Sequence, residues 1–125
     1  MTTGEKKVLI IDDDSRNIFA LSAYLRSRKI QCVSSISAKE GLDILAKDSQ
    51  IGVVLMDMMM PEMDGYEAIG FIRNNETLKN LPVIAVTAQA MVGDKEKSLE
   101  AGASAYISKP VNTVLLLQLI DKYLK

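Results

Sequence analysis

The chain has 125 residues, of which 48% are hydrophobic, so it is long enough for one domain with a substantial core and too short for two. Fifteen basic and sixteen acidic residues leave a net charge of −1, which gives no general attraction to nucleic acid or to an anionic membrane. The sequence contains no histidine, which excludes an imidazole base, a histidine-bound metal and a phosphohistidine on this chain.

The single cysteine, Cys32, cannot form a disulfide within the chain, and we expect it to be a small core residue on the second strand. No apolar stretch approaches the length of a membrane span, and residues 1–7 are polar, unlike a signal peptide. We therefore expect a cytoplasmic protein with a single domain over residues 1–125.

Short β-branched runs alternate with helical patterns along the whole chain. The predicted strands are residues 7–11, 31–35, 52–56, 83–87 and 104–108. The predicted helices are residues 15–28, 38–47, 66–74, 94–101 and 113–123. Strict β-α alternation with short connections predicts a parallel sheet covered by helices on both faces. Right-handed crossovers then favour a doubly wound α/β sheet in which the first and third strands are neighbours.

Polar residues stand where four of the predicted strands end. Asp12 and Asp13 follow the first strand, Asp57 follows the third, Thr87 ends the fourth, and Lys109 follows the fifth. Open α/β folds place their ligand sites at the carboxyl edge of the sheet. We therefore expect three carboxylates, a hydroxyl and an ammonium group to meet there.

The acidic triplet Asp12-Asp13-Asp14 divides into two roles. Asp14, followed by Ser15, is placed to cap the first helix, where acidic and hydroxyl side chains are favoured. Asp12 and Asp13 beside Asp57 would repel one another unless a cation or protons neutralised them. An oxygen-only site of this kind favours Mg²⁺, or Mn²⁺, over zinc.

These groups together suit phosphoryl transfer. Asp57 could accept a phosphoryl group as an acyl phosphate, with a divalent ion holding the phosphoryl oxygens. Lys109 could offset the developing charge, and Thr87 could donate a hydrogen bond to a phosphoryl oxygen.

The chain resembles the receiver domain of two-component response regulators over essentially its whole length. The resemblance rests on four motifs in the family's order: IDD at residues 11–13, LMDMMMPEMDG at 55–65, VTA at 86–88 and KP at 109–110. It implies a flavodoxin-like fold, with five parallel strands in the order 2-1-3-4-5 and five helices.

The resemblance also assigns the site. It implies that Asp57 is the phosphoacceptor, and that Mg²⁺ is bound directly by Asp13, Asp57 and the backbone carbonyl of Met59. Asp12 would act mainly through water. Thr87 and Lys109 would contact the phosphoryl group.

The resemblance further implies a conformational switch in which Thr87 and Tyr106 move together and alter the surface of the fourth helix, fifth strand and fifth helix. A cis peptide bond is expected between Lys109 and Pro110. The family's donors are histidine kinases and histidine phosphotransfer domains. The protein would then be a signalling receiver that promotes its own phosphorylation and dephosphorylation, with no direct contact to nucleic acid or membrane. Dimerisation through the switching surface stays open.

The first helix carries a candidate docking surface. Leu21 and Leu25 define its buried centre, and Ile18 lies near one margin of that centre. Phe19 falls well away from the core-facing side. We expect Ile18 and Phe19 to form the apolar part of a docking site for the histidine-containing donor, together with Pro110 and Val111 across the pocket.

Two other classes of protein share parts of this pattern. Haloacid-dehalogenase-type phosphatases also use a nucleophilic aspartate, but they carry a second aspartate two residues later, where this chain has Met59. A flavodoxin-like FMN binder would need free amides and hydroxyls after the first strand, where this chain has three carboxylates that repel phosphate. Both a stand-alone receiver without an output domain and the receiver segment of a hybrid histidine kinase agree with the sequence.

Overall fold

The computed structural model describes residues 6–60, 62–87 and 93–124. Five strands lie in this part of the chain: β1 (Lys7–Ile11), β2 (Cys32–Ser35), β3 (Ile51–Asp57), β4 (Val83–Thr87) and β5 (Ala105–Ser108). Five helices alternate with them: α1 (Ser15–Ser27), α2 (Ala38–Lys47), α3 (Gly65–Arg73), α4 (Asp94–Ala101) and α5 (Thr113–Leu124). All pairings are parallel and the strand order is β2-β1-β3-β4-β5, which confirms the predicted doubly wound sheet.

The predicted boundaries differ from the observed ones by one residue at several ends. The second and fifth strands begin one residue later than predicted, because the first paired residues are Cys32, opposite Val8, and Ala105, opposite Ile84. The third strand is longer than predicted at both ends, and Asp57 is its last residue, paired with Val86. The candidate acceptor is therefore held by the sheet itself.

The core lies in two layers, one on each face of the sheet. Along β1, Leu9 and Ile11 point to one layer while Val8 and Ile10 point to the other, as side chains alternate along a strand. The first layer is covered by α2 and α3, and the second by α1 and α5. Cys32 is buried in the second layer, which confirms its expected core position.

Helix capping sets where α1 and α3 begin, next to the carboxyl edge. The Asp14 side chain accepts a hydrogen bond from the Arg16 backbone N–H, which confirms its predicted capping role. Asp64 caps α3 in a reciprocal capping box with Glu67. Each of these helices is therefore the next element along the chain after a strand that carries the candidate site. Within the described residues, no helix is long and apolar enough to cross a membrane.

Candidate functional site at the carboxyl edge of the sheet

Three carboxylates converge at the carboxyl ends of β1 and β3. Asp12, Asp13 and Asp57 each offer an oxygen, and these oxygens lie within 4.8 Å of one another. Asp12 is 3% exposed and Asp57 is 4% exposed, whereas Asp13 is exposed to solvent. The cluster thus has two buried carboxylates and one that opens to water.

Asp12 is already held by protein donors on both of its oxygens. The backbone N–H of Asp14 donates to Oδ1 at 2.8 Å, and the Asn17 side-chain amide donates to Oδ2 at 2.7 Å. Asn17 is a contact of the site that the sequence motifs did not predict. The sequence did contain a clue to this contact. Because Asp14 caps α1, Asn17 lies in the first turn of that helix, close in sequence to the end of β1.

Lys109 lies beside both buried carboxylates. Its Nζ atom is 3.5 Å from Asp12 Oδ2 and 3.8 Å from Asp57 Oδ2. The backbone N–H of Lys109 donates to the Thr87 carbonyl oxygen at 2.7 Å, which fixes the lysine relative to β4. The expected cis peptide bond between Lys109 and Pro110 is present.

Burial, and to a smaller extent the charge of the neighbouring Asp12, raises the pKa of Asp57 from 3.8 to about 6. The Met59 backbone N–H, which donates to Asp57 Oδ1 at 3.1 Å, and the Lys109 ammonium act in the opposite direction. Burial and the Asp12 charge together outweigh these two stabilising contacts. The site therefore favours an additional positive charge.

Thr87 and Tyr106 are in direct contact. Thr87 is buried at the end of β4, and its hydroxyl donates to the Tyr106 hydroxyl at 3.3 Å. Tyr106 is half-buried on β5. The structure thus joins the two residues that the resemblance implies to be a switch.

Met58, Met59 and Met60 follow the candidate acceptor and differ in burial. Met58 and Met60 are buried, whereas the Met59 side chain is 67% exposed. The backbone of Met59 lies against the site through its hydrogen bond to Asp57. Two motif residues of the resemblance, Pro61 and Ala88, lie outside the described residues.

The four candidate docking residues differ in accessibility. Phe19 is 76% exposed and Pro110 is also exposed. Ile18 and Val111 are half-buried and pack against the core layer beneath α1 and α5. Phe19 and Pro110 are therefore the two exposed members of this set.

The donor set fits a hard divalent cation. It consists of oxygens, it lacks histidine and cysteine, and its negative charge exceeds what Lys109 supplies. The exposed Asp13 leaves a side of the cluster open to water, as Mg²⁺ prefers because it keeps several waters. The raised pKa of Asp57 has the same implication, because a nearby cation would stabilise the charged form of this carboxylate.

The acidic cluster, Thr87 and Lys109 lie at the carboxyl edge of a doubly wound sheet, where sheets of this kind bind their ligands. The family model described as the response regulator receiver domain matches residues 8–121 of the chain. The chain therefore belongs to the response regulator receiver family, as the sequence motifs predicted.

Individual relatives agree with this assignment. The polar-differentiation response regulator DivK of Brucella ovis is 35% identical over 119 residues, which cover 95% of this chain and 96% of DivK. The receiver domain of the sensor histidine kinase PA1611 from Pseudomonas aeruginosa PAO1, solved with a magnesium ion in its active site cleft, is 28% identical. That match has a TM-score of 0.86 and covers 95% of this chain and 97% of the other.

A third relative was solved in a complex. It is the receiver domain of the Saccharomyces cerevisiae response regulator Ssk1, co-crystallised with the histidine phosphotransfer signaling protein Ypd1. This match has 26% identity and a TM-score of 0.86, and it covers 98% of this chain and 91% of the other.

Proposed function

We propose that this protein is a cytoplasmic phosphoacceptor of a two-component phosphorelay and that Asp57 receives the phosphoryl group in a reaction that requires Mg²⁺. One observation carries the proposal: a buried carboxylate with a raised pKa lies at the end of β3 between two further carboxylates and Lys109. The proposal makes the chain a signalling receiver that promotes its own phosphorylation and dephosphorylation.

In the proposed transfer, an Asp57 oxygen attacks the phosphorus of a phosphohistidine on the donor. The P–O bond of an acyl phosphate forms, and the P–N bond breaks with its electron pair going to the imidazole nitrogen. Lys109, which lies near both Asp12 and Asp57 in the structure, would offset the charge on the phosphoryl oxygens. The Thr87 hydroxyl would turn from Tyr106 and donate to one of these oxygens.

The metal would be held by the carboxylates of Asp13 and Asp57 and by the backbone carbonyl of Met59. Asp12 would act through water, which is supported by the two hydrogen bonds from Asp14 and Asn17 that already occupy its oxygens. Bound Mg²⁺, or Mn²⁺, would supply positive charge to the phosphoryl oxygens. The magnesium ion in the PA1611 receiver supports this choice.

Acetyl phosphate with Mg²⁺ should add one phosphoryl group to the wild-type protein, because the pocket would orient a small donor as well as a protein donor. Asp57→Asn should take up none, since an amide is a poor nucleophile. Intact-mass spectrometry before and after EDTA measures both effects. Equal incorporation in Asp57→Asn would place the acceptor elsewhere and overturn the proposal.

The contact between Thr87 and Tyr106 is proposed to transmit the effect of phosphorylation from Asp57 to the α4-β5-α5 surface. If the Thr87 hydroxyl moves to the phosphoryl group, Tyr106 loses its partner and can repack, which would alter the α4-β5-α5 surface. Dimerisation through that surface is part of the same proposal.

Addition of beryllofluoride and Mg²⁺, which mimic the phosphoryl group, should therefore change amide hydrogen exchange within residues 94–123. The change should be reduced in Tyr106→Phe, because that variant lacks the hydroxyl that contacts Thr87. Exchange in β2, on the opposite side of the sheet, is the internal control. Unchanged exchange across residues 94–123 would contradict the switch.

The donor is proposed to be a histidine kinase or a histidine phosphotransfer domain that docks on Ile18, Phe19, Pro110 and Val111. The Ypd1 and Ssk1 complex supports a partner of this kind. The similarity to DivK supports a stand-alone receiver. The similarity to the PA1611 receiver supports the receiver segment of a hybrid kinase. Both arrangements use the same site.

Phe19→Ala should slow transfer from a phosphorylated histidine phosphotransfer domain while acetyl phosphate labelling stays nearly unchanged. Loss of a docking aromatic costs about 2 kcal/mol, which is roughly a thirtyfold loss of affinity. Leu99→Ala is the control, because Leu99 is also an exposed apolar residue but lies on α4. If Phe19→Ala slows both donors equally, Phe19 serves the fold rather than the partner.

A further inference from the structure

The outer face of α3 contains a glycine, Gly70, that no contact among the described residues requires. Gly70 lies in the middle of the helix, where glycine costs about 1 kcal/mol relative to alanine. A Cβ atom at Gly70 would meet nothing within 4 Å, whereas one at Gly102 would come within 2.8 Å of the Arg73 side chain. Gly102 is explained by this close contact and by its left-handed backbone, with a φ of 117°, whereas neither reason applies to Gly70.

Next to Gly70 stands an unusually exposed aromatic residue. Phe71 is 63% exposed, although both isoleucines of the same helix, Ile69 and Ile72, are fully buried. Glu67, Gly70, Phe71 and Asn74 lie three or four residues apart, so they share one side of the helix. Together they line a hollow of about 530 Å³.

A second hollow continues this surface toward α2. It has a volume of about 650 Å³ and shares Met63 and Glu67 with the first. At its far end lies Ile36, another exposed large apolar residue, just before the Ser37 cap of α2. We refer to the two hollows, from Ile36 to Phe71, as the α2-α3 groove.

The charges of the α2-α3 groove are mainly negative. Glu40, Glu62 and Glu67 line it, against a single lysine, Lys39. The groove is thus lined by both apolar side chains and carboxylates. A complementary partner would carry an apolar stripe flanked by Lys or Arg, because opposite potentials steer and orient association.

We propose that the α2-α3 groove binds a basic amphipathic helix of a partner protein. Gly70 would allow the partner's backbone to approach α3 closely, as small residues do where helices cross, and Phe71 would be the apolar anchor. Glu40, Glu62 and Glu67 would face the basic flanks of the partner helix. The groove uses none of the residues proposed for phosphoryl transfer, so the inference stands whether or not Asp57 is the acceptor.

The probe is a synthetic helical peptide with leucines on one face and lysines on the other, added to ¹⁵N-labelled protein in excess Mg²⁺, which would occupy the acidic cluster. Amide shifts should concentrate at Ile36–Glu40 and Met63–Asn75. A peptide of the same pattern with glutamate in place of lysine should bind at least about tenfold more weakly. Shifts centred on Asp12, Asp13 and Asp57, or spread over the whole surface, would overturn the proposal.

Gly70→Leu should weaken binding of the lysine peptide at least about tenfold, because its side chain would fill the hollow. This variant should fold, since space is free around Gly70 and the change removes a helix-interior glycine. Ala46→Leu, an exposed site at the other end of α2, should bind like wild type. The double variant Glu40→Gln with Glu62→Gln should bind more weakly and lose part of its salt dependence.

Equal binding by Gly70→Leu and wild type would overturn the proposal. The α2-α3 groove could instead bind a second copy of this chain. Analytical ultracentrifugation without peptide tests this by measuring self-association. Self-association that Gly70→Leu abolishes would assign the groove to that copy and would also overturn the proposal. A monomer at all concentrations would support a separate partner.

Discussion

In metal-free buffer at about pH 8, Asp57→Asn should be more stable to unfolding than the wild type by about 1 to 3 kcal/mol. Asp57 is 4% exposed, and burial together with Asp12 raises its pKa to about 6 from 3.8. The folded state therefore binds this proton more tightly than the unfolded state does. As the pH rises from about 4 through about 6, the wild type loses stability that the neutral asparagine keeps.

Urea denaturation in EDTA at about pH 8 and about pH 4 measures this difference, which should nearly vanish at the lower pH. Added Mg²⁺ should also reduce it, because the ion binds the folded wild-type site and stabilises it. Asp43→Asn, at an exposed carboxylate on α2, is the control and should show no comparable gain. A wild type at least as stable as Asp57→Asn at about pH 8 would contradict the electrostatic account of the pocket.

Lys109→Gln should slow phosphorylation by acetyl phosphate about 100-fold while tightening Mg²⁺ binding. The Lys109 Nζ atom lies 3.5 Å from Asp12 and 3.8 Å from Asp57, so its removal makes the pocket more negative toward a metal ion. The same removal deprives the transferring phosphoryl group of a positive charge. Labelling should become slower while Mg²⁺ binding becomes tighter. General damage to the site would weaken both, so the two outcomes can be distinguished.

Metal titration and the initial rate of labelling measure the two quantities on the same variant. Lys47→Gln, an exposed lysine at the end of α2, should change neither. Wild-type labelling rates in Lys109→Gln would contradict the proposed role of the lysine. A loss of both metal binding and labelling would show that Lys109 maintains the pocket rather than stabilising the transfer.

The sequence predicted those parts of the candidate site whose positions follow directly from the order of the strands. Asp12, Asp57, Thr87 and Lys109 could be brought together from sequence because each stands at the carboxyl end of a parallel strand. The two-layer core was predictable for the same reason, since buried strands and amphipathic helices alternate along the chain.

Contacts between distant side chains could not be obtained in this way. Arg73 donates to the carbonyl oxygens of Lys79, Leu81 and Gly102, joining the end of α3 to the segments before β4 and β5. A flexible arginine has many rotamers, and nothing local in the sequence selects this one. The contact between Asn17 and Asp12 depends in the same way on how α1 is oriented against the sheet.

Gly70 shows a further limit. From the sequence alone, Gly70 is only a residue that destabilises a helix. The structure adds that the space around it is free and that the neighbouring Phe71 is exposed. The absence of a steric reason becomes informative only when the neighbouring atoms are known. Function on that face therefore had to be inferred from the structure.

Localisation of the phosphoryl group tests the central claim most directly. After incubation with a phosphorylated histidine phosphotransfer domain and Mg²⁺, the protein is treated with borohydride, which reduces an acyl phosphate on aspartate to homoserine. Peptide mass spectrometry should find homoserine at position 57 only, and none when EDTA is present during the transfer. Reduction at another carboxylate, such as Asp12 or Asp13, or equal transfer in EDTA would contradict the proposed Mg²⁺-dependent site at Asp57.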